Sequence, residues 1–177
     1  MKKILFLLVT SMLCVSTYAG KVLVENGSIS VLNENETCLF ELDLTDAKFD
    51  HKKDFKKWCG PDYAERVRLM EEAFPEAFNE RNSEGLKIVL ESNTGNPKYK
   101  MVLHCKDFVR DVFHGGFGGA RAKMKVYGTL KIIEISTGKI VLEIGIDKIK
   151  GGGDFVETDR FPKTMKELAK QVVKLKK

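Results

Sequence analysis

Lys125-Val-Tyr-Gly-Thr-Leu-Lys-Ile-Ile-Glu-Ile-Ser-Thr-Gly-Lys-Ile-Val-Leu-Glu-Ile-Gly-Ile146 is the stretch whose reading decides the fold. Apolar and polar residues alternate on both sides of Ser136-Thr137-Gly138, the period of two expected of half-buried strands. Folding the stretch about those three residues sets Ile132 opposite Leu142 and Leu130 opposite Ile144 on one face. The same register brings Lys131 against Glu143, a favourable cross-strand pair, and Gly128 near Ile146. Gly138 supplies the left-handed conformation that closes a three-residue bulged hairpin. Two long antiparallel strands are therefore expected, over 120–135 and 140–150.

Upstream, Tyr99 to Phe113 alternates in the same way and predicts a third strand of a meander. Cys38 to Leu44 and Leu86, Ile88 and Leu90 predict two more. Between them Tyr63, Val67, Met70, Phe74 and Phe78 recur every three or four residues, the stripe of a helix that Pro75 should kink or split and Gly85 ends. Downstream, Thr164 and Glu167 have capping-box spacing, and Met165, Leu168, Ala169, Val172 and Leu175 form the stripe of a second helix. The expected class is α+β in the order β-α-β-β-β-β-α, a mostly antiparallel sheet with two helices packed on one face. Residues 38–177 read as one domain. The polar lead-in, residues 20–37, leaves room for a short edge strand.

At the start, Lys2-Lys3 precedes an apolar run from Ile4 to Val15, and Thr17-Tyr18-Ala19 places small residues where a signal peptidase reads. That is the pattern of a secretory signal peptide over residues 1–19, with cleavage near Ala19. The run is too short for a spanning helix, which needs roughly 20 apolar residues. Leu13 before Cys14 is too large for a lipid-attachment site. The expected location is the periplasm or the exterior, with no transmembrane segment in the mature chain. Removing 19 residues from 177 leaves 158, enough to bury a core without staples. The formal charge of +5 falls to +3 without the two leader lysines, too weak a bias for a nucleic-acid partner.

Phe74-Pro-Glu-Ala-Phe78 running into Leu86-Lys-Ile-Val-Leu90, the strand Lys125 to Ile132, the turn Ser136-Thr-Gly-Lys139, Gly151-Gly-Gly153 and a closing helix from Met165 together carry a resemblance. Across roughly Cys38 to Leu175 the chain resembles the amino-terminal domain of TolB and its relatives, among them the curli-secretion lipoprotein and a family of uncharacterised bacterial envelope proteins. The resemblance implies a non-enzymatic part of an envelope assembly. Many such relatives are lipid-anchored, and this chain lacks a proper lipidation site.

The candidate chemistry is sparse. Arg121, Lys123, Lys125 and Lys131 share one parity on their strand, either a solvated face balanced by residues such as Glu143 and Asp147 or a stripe that attracts anionic lipid headgroups or an acidic partner. Ile133 and Val141, expected to pair across the hairpin on that same face, are either covered by Val22-Leu23-Val24 or left open for self-association or strand addition. Phe117, within His114-Gly-Gly-Phe-Gly-Gly119, is an aromatic displayed between glycines. This loop joins two strands, so it lacks the helix N-terminus that a phosphate-cradling loop needs. Cys38 and Cys105 both fall on core parity, as buried thiols or as a Cys38–Cys105 disulfide. His104 and Cys105 point to opposite faces and cannot share a zinc. Asp43, Asp46, Asp50 and His51 read as a solvated strand end rather than a catalytic cluster. No cofactor is implied. The preferred function is an exported binding or scaffolding protein, not an enzyme, joining an envelope partner or a second copy through its sheet face or edge. The alternative is a carrier that holds a lipid or other apolar molecule between sheet and helices.

Overall fold

The long meander lies at the centre of an open, mostly antiparallel sheet. The computed structural model describes residues 20–90, 96–114, 120–152 and 157–176. In chain order the elements are β1 (Lys21–Gly27), β2 (Thr37–Asp43), β3 (Lys48–Phe49), β4 (Lys53–Asp54), α1 (Phe55–Cys59), α2 (Tyr63–Arg81), β5 (Lys87–Val89), β6 (Tyr99–His114), β7 (Ala120–Glu134), β8 (Ile140–Lys150) and α3 (Glu157–Lys174). The sheet order is β1-β8-β7-β6-β2-β5, with β3 joining β6 and β4 pairing β3. Among the described residues β2 with β5, β2 with β6 and β3 with β6 run parallel, and the other pairs antiparallel. Helices α2 and α3 pack on each other and against the sheet, α2 on β2 and β5, α3 on β7 and β8. The fold class is the one that the hydrophobic period dictates.

Ile132 pairs with Leu142, Leu130 with Ile144, Lys131 with Glu143 and Gly128 with Ile146, and Gly138 has φ of 69°. The tip departs from expectation by one residue. The register shifts after Ile132, so Ile133 faces Ile140 rather than Val141. Glu134 N–H donates to the Lys139 carbonyl (2.9 Å), and Gly138 N–H donates back to Glu134 (2.9 Å). Ile135 thus belongs to a four-residue loop and lies half exposed.

Pro75 does not split α2, which runs unbroken from Tyr63 to Arg81. An interior proline costs about 3 kcal/mol. Against that, Met70, Phe74 and Phe78 are all fully buried on the same stripe, each contributing roughly 1.5–3 kcal/mol. Burial wins. Helix α3 begins seven residues before Thr164, so no capping box forms. The Thr164 hydroxyl instead donates to the Arg160 carbonyl one turn back (2.7 Å), with the Met124 carbonyl 3.2 Å away. The earlier start buries Phe161, which meets Phe108 and Phe55 at centroid distances of 5.3 and 5.5 Å.

Between sheet and helices the space is filled by fully buried side chains, among them Met101, Leu103, Phe108, Met124, Leu130, Ile132 and Ile144. Beside this core runs a stack of alternating chemistry. The Arg110 guanidinium lies 4.9 Å from the Phe49 ring, Phe49 stacks on Trp58 at 3.5 Å, and Arg66 sits 4.9 Å from Trp58.

Candidate interaction surface

The sheet face opposite α2 and α3 is built from the other parity of each strand. Across its middle run Glu41, Val102, Lys131 and Glu143 in register, and beside them Leu39, Lys100 and Ile133. Leu39, Val102 and Ile133 are only partly buried, whereas their neighbours Phe40, Leu103 and Ile132 on the opposite parity are closed off. Val89 extends the apolar row beyond Leu39.

The lysines on this face are matched by acids. Lys131 meets Glu143 at 3.1 Å and Lys100 meets Glu41 at 2.5 Å. Lys125 and Lys150 converge on Asp111 at 3.1 and 3.0 Å, and Lys123 stands opposite Asp111 in the register. The two lysines, Lys150 foremost, hold the Asp111 carboxyl below the usual carboxylate range. Of the lysines that share one parity on β7, Lys131 is therefore matched one-to-one by Glu143, whereas Lys125 shares the Asp111 carboxylate with Lys150. The Arg121 side chain and Phe117 lie outside the described residues.

Val22-Leu23-Val24 does not lie over Ile133. It forms the edge strand β1 beside β8, with Val22 against Ile146 and Leu23 against Gly145. Val141 is not the partner of Ile133 either; it packs against the margin of the core, and its carbonyl accepts from Ser28 N–H (3.0 Å). The apolar component of this face is accordingly Leu39, Val89, Val102 and Ile133.

Cys38, Cys59 and Cys105 are free and buried. The sequence-level alternative of a Cys38–Cys105 bridge is excluded by register. Cys38 aligns with Tyr99, six residues before Cys105, which places the two about 20 Å apart along the sheet. A disulfide tolerates about 7 Å between Cα atoms. Burial pushes the Cys38 thiol up to about 12 and the Cys105 thiol well above its ordinary value, so neither is a nucleophile near neutrality.

Asp43, Asp46, Asp50 and His51 do not converge. Asp43 accepts from Thr45 N–H (2.9 Å) and hydroxyl (2.7 Å), bonds that hold its carboxyl below the usual range. Asp50 clamps Arg110 through its side-chain nitrogens (2.9 and 3.0 Å), and His51 Nδ1 lies 2.5 Å from Asp107. Asp50 and His51 both have positive φ (51° and 65°), forming the tight turn between β3 and β4. Among the described residues no group of three His, Cys, Asp or Glu is placed to hold a metal. A cleft of about 440 Å³ between β2 and the start of α2, lined by Glu41, Asp43, Asp54, Lys56 and Tyr63, opens to solvent.

Two asparagines that no periodicity singles out set one border of the surface. Asn79 on α2 takes both backbone groups of Ile88: its Nδ2 donates to the carbonyl and its Oδ1 accepts the N–H, each at 2.8 Å. The side chain thus occupies the outer edge of β5 as a further strand would. Asn82, buried at the C-terminus of α2, donates to the carbonyls of Leu32 and Leu86 (both 3.0 Å) and accepts from Lys176. The signal for such residues is a lone amide next to a helix end.

No family model matches the chain, and no curated protein matches it in sequence. Among solved structures, it is similar to a PelC dodecamer from Paraburkholderia phytofirmans, at 12% identity and a TM-score of 0.48, over 87% of this chain and 96% of that one. An L103M form of the same protein gives the same identity and TM-score over 87% and 97%. A Helicobacter pylori protein described as a neuraminyllactose-binding hemagglutinin homolog is similar at 12% identity and a TM-score of 0.38, over 82% and 86%.

Proposed function

We propose that this chain is an exported, non-enzymatic binding or scaffolding protein, of the kind the TolB-like resemblance implies, which joins an envelope assembly through its outer sheet face. The observation that carries the reading is that face itself. Leu39, Val89, Val102 and Ile133 lie partly exposed among neutralised ion pairs, while the opposite face is sealed by two helices. Apolar groups set in a paired polar surround are what a partner surface needs in order to desolvate without leaving bare charge. The amino-terminal leader pattern supplies the route to the envelope. Support for a non-catalytic role comes from inert buried thiols and from acids committed to structural bonds. The carrier alternative gains no support, since side chains fill the layer between sheet and helices.

The test uses protein expressed with its own leader and recovered from the periplasmic fraction, unmodified or carrying Ile133→Asp. The substitution should lower the unfolding free energy by no more than about 1 kcal/mol, because the side chain is only partly buried on the outer face, and should abolish recovery of the envelope partner. Full partner recovery with Ile133→Asp, or a chain found only in the cytoplasm, contradicts the proposal.

A further inference from the structure

The sheet has two lateral edges, and they are treated differently. At β5 the outward backbone groups of Ile88 are already taken by Asn79, and the strand is three residues long. At β1 nothing among the described residues lies beyond Lys21–Gly27. Every residue of β1 except Val22 is exposed, Leu23 at 57% and Val24 at 38%. In a strand, alternate residues direct their N–H and C=O to opposite sides, so half of this strand's backbone groups face away from β8 unpaired.

The side chains of β1 carry a symmetry. Lys21 and Glu25 stand two residues to either side of Leu23, with Val22 and Val24 between. Neither Lys21 nor Glu25 makes an ion pair among the described residues. Lys21 and Leu23 share the outer face, paired with Asp147 and Gly145. Glu25 is the extra residue of a bulge, and its carboxylate rests over Gly145 on that same face, where an added Cβ would come within 2.2 Å of its Oε1.

We propose that β1 pairs with β1 of a second copy of this chain, antiparallel about a two-fold axis at Leu23. That arrangement places Leu23 against Leu23, Val22 against Val24, and Lys21 against Glu25 twice over. Opposite charges across an antiparallel pair are favourable, and like charges directly opposite are not. A parallel, in-register pairing would set Lys21 against Lys21 and Glu25 against Glu25, so the charge pattern favours the antiparallel arrangement. The contact joins two sheets into one and leaves Ile133 and Leu39 free. It is a different surface from the outer-face patch and is tested by different residues.

Charge exchange provides the test, with mass measured by sedimentation across a dilution series at low salt. The unmodified chain, purified after export, should show a concentration-dependent dimer. Lys21→Glu alone places glutamate against Glu25, and Glu25→Lys alone places lysine against Lys21; each should weaken the dimer by roughly tenfold or more. The double variant Lys21→Glu with Glu25→Lys restores both pairs and should restore the dimer. Circular dichroism should be unchanged in all three, because both positions are exposed. A monomer at every concentration overturns the proposal, as does a dimer indifferent to the single exchanges or one that the double variant fails to rescue. A dimer lost only with Ile133→Asp would assign self-association to the outer face instead.

Discussion

Asn82→Asp preserves the shape of the side chain almost atom for atom, and it should unfold the protein more readily than Asn82→Ala. Asn82 is 2% exposed and sits where the end of α2, the turn at Leu32, the approach to β5 and the tail of α3 meet. Its Nδ2 supplies both protons of two bonds, to Leu32 and Leu86 carbonyls at 3.0 Å, and Gly85 approaches so closely that a Cβ there would lie 2.9 Å from the amide. Alanine removes two neutral hydrogen bonds, each about 1 kcal/mol net, and strands the Leu86 carbonyl at a cost of about 1–3 kcal/mol. The Leu32 carbonyl keeps Leu86 N–H at 3.2 Å. The sum is about 3–5 kcal/mol, which for a domain of this size lowers Tm by roughly 6–20 °C. Aspartate does worse, because it has no proton to give and points an oxygen at each carbonyl; Lys176 offsets only part of this. Urea titration with a constant m-value measures the difference. If Asn82→Asp stays within about 0.5 kcal/mol of the unmodified chain, the assignment of Asn82 as the donor that fastens α2 to β5 is wrong.

Acid should act in a defined direction. Glu34, held by Lys98 and Tyr99, Asp43, held by Thr45, and Asp111, held by Lys150 and Lys125, all have folded-state pKa values below the ordinary 4.5 and 3.8. Depressed carboxylates contribute stability that is complete above those values and lost as pH falls through the lower folded ones. The urea midpoint should therefore decline below about pH 4, and Asp111→Asn should flatten part of that decline; a midpoint that rises on acidification contradicts the assignment. Gly128 leaves no room for a side chain, since a Cβ would lie 2.0 Å from the His104 carbonyl oxygen. Gly128→Ala should separate β6 from β7 at the bulge and lower stability by about 1–3 kcal/mol, read by the same titration. The thiols of Cys38, Cys59 and Cys105 should react with a thiol reagent only after denaturation, and reductant should leave Tm unchanged; rapid reaction at these positions in the native protein, or a Tm that falls with reductant, would show exposed or bridged cysteines.

The central hairpin was legible because three independent signals agreed: alternation on both arms, the Lys131–Glu143 match and a glycine where positive φ was required. Its tip was not, because Ile135 has a strand-forming side chain yet serves as a loop residue. A period of two cannot say where a strand stops. The start of α3 was obscured by the capping-box spacing of Thr164 and Glu167, which imitates an N-terminus inside the helix; Pro162 is tolerated upstream of it because Phe161 and Met165 are both fully buried. The lysine parity on β7 and the Lys131–Glu143 pair were visible, but the convergence of Lys125 and Lys150 on Asp111 follows from the β6 register rather than from β7. The β3–β4 turn was hidden more deeply, since Asp50 and His51 hold positive φ without glycine. Their side-chain bonds to Arg110 and Asp107 compensate. The closed β5 edge depends on one amide, a tertiary contact that no local pattern announces.

Photo-crosslinking in intact cells tests the outer face most directly. A photoreactive residue placed at Ile133, on the uncovered sheet face, is compared with one at Glu80, exposed on the helical side. Adducts of defined mass should form from position 133 and not from position 80. Adducts from position 80 alone would show that the helices, not the sheet, meet the partner.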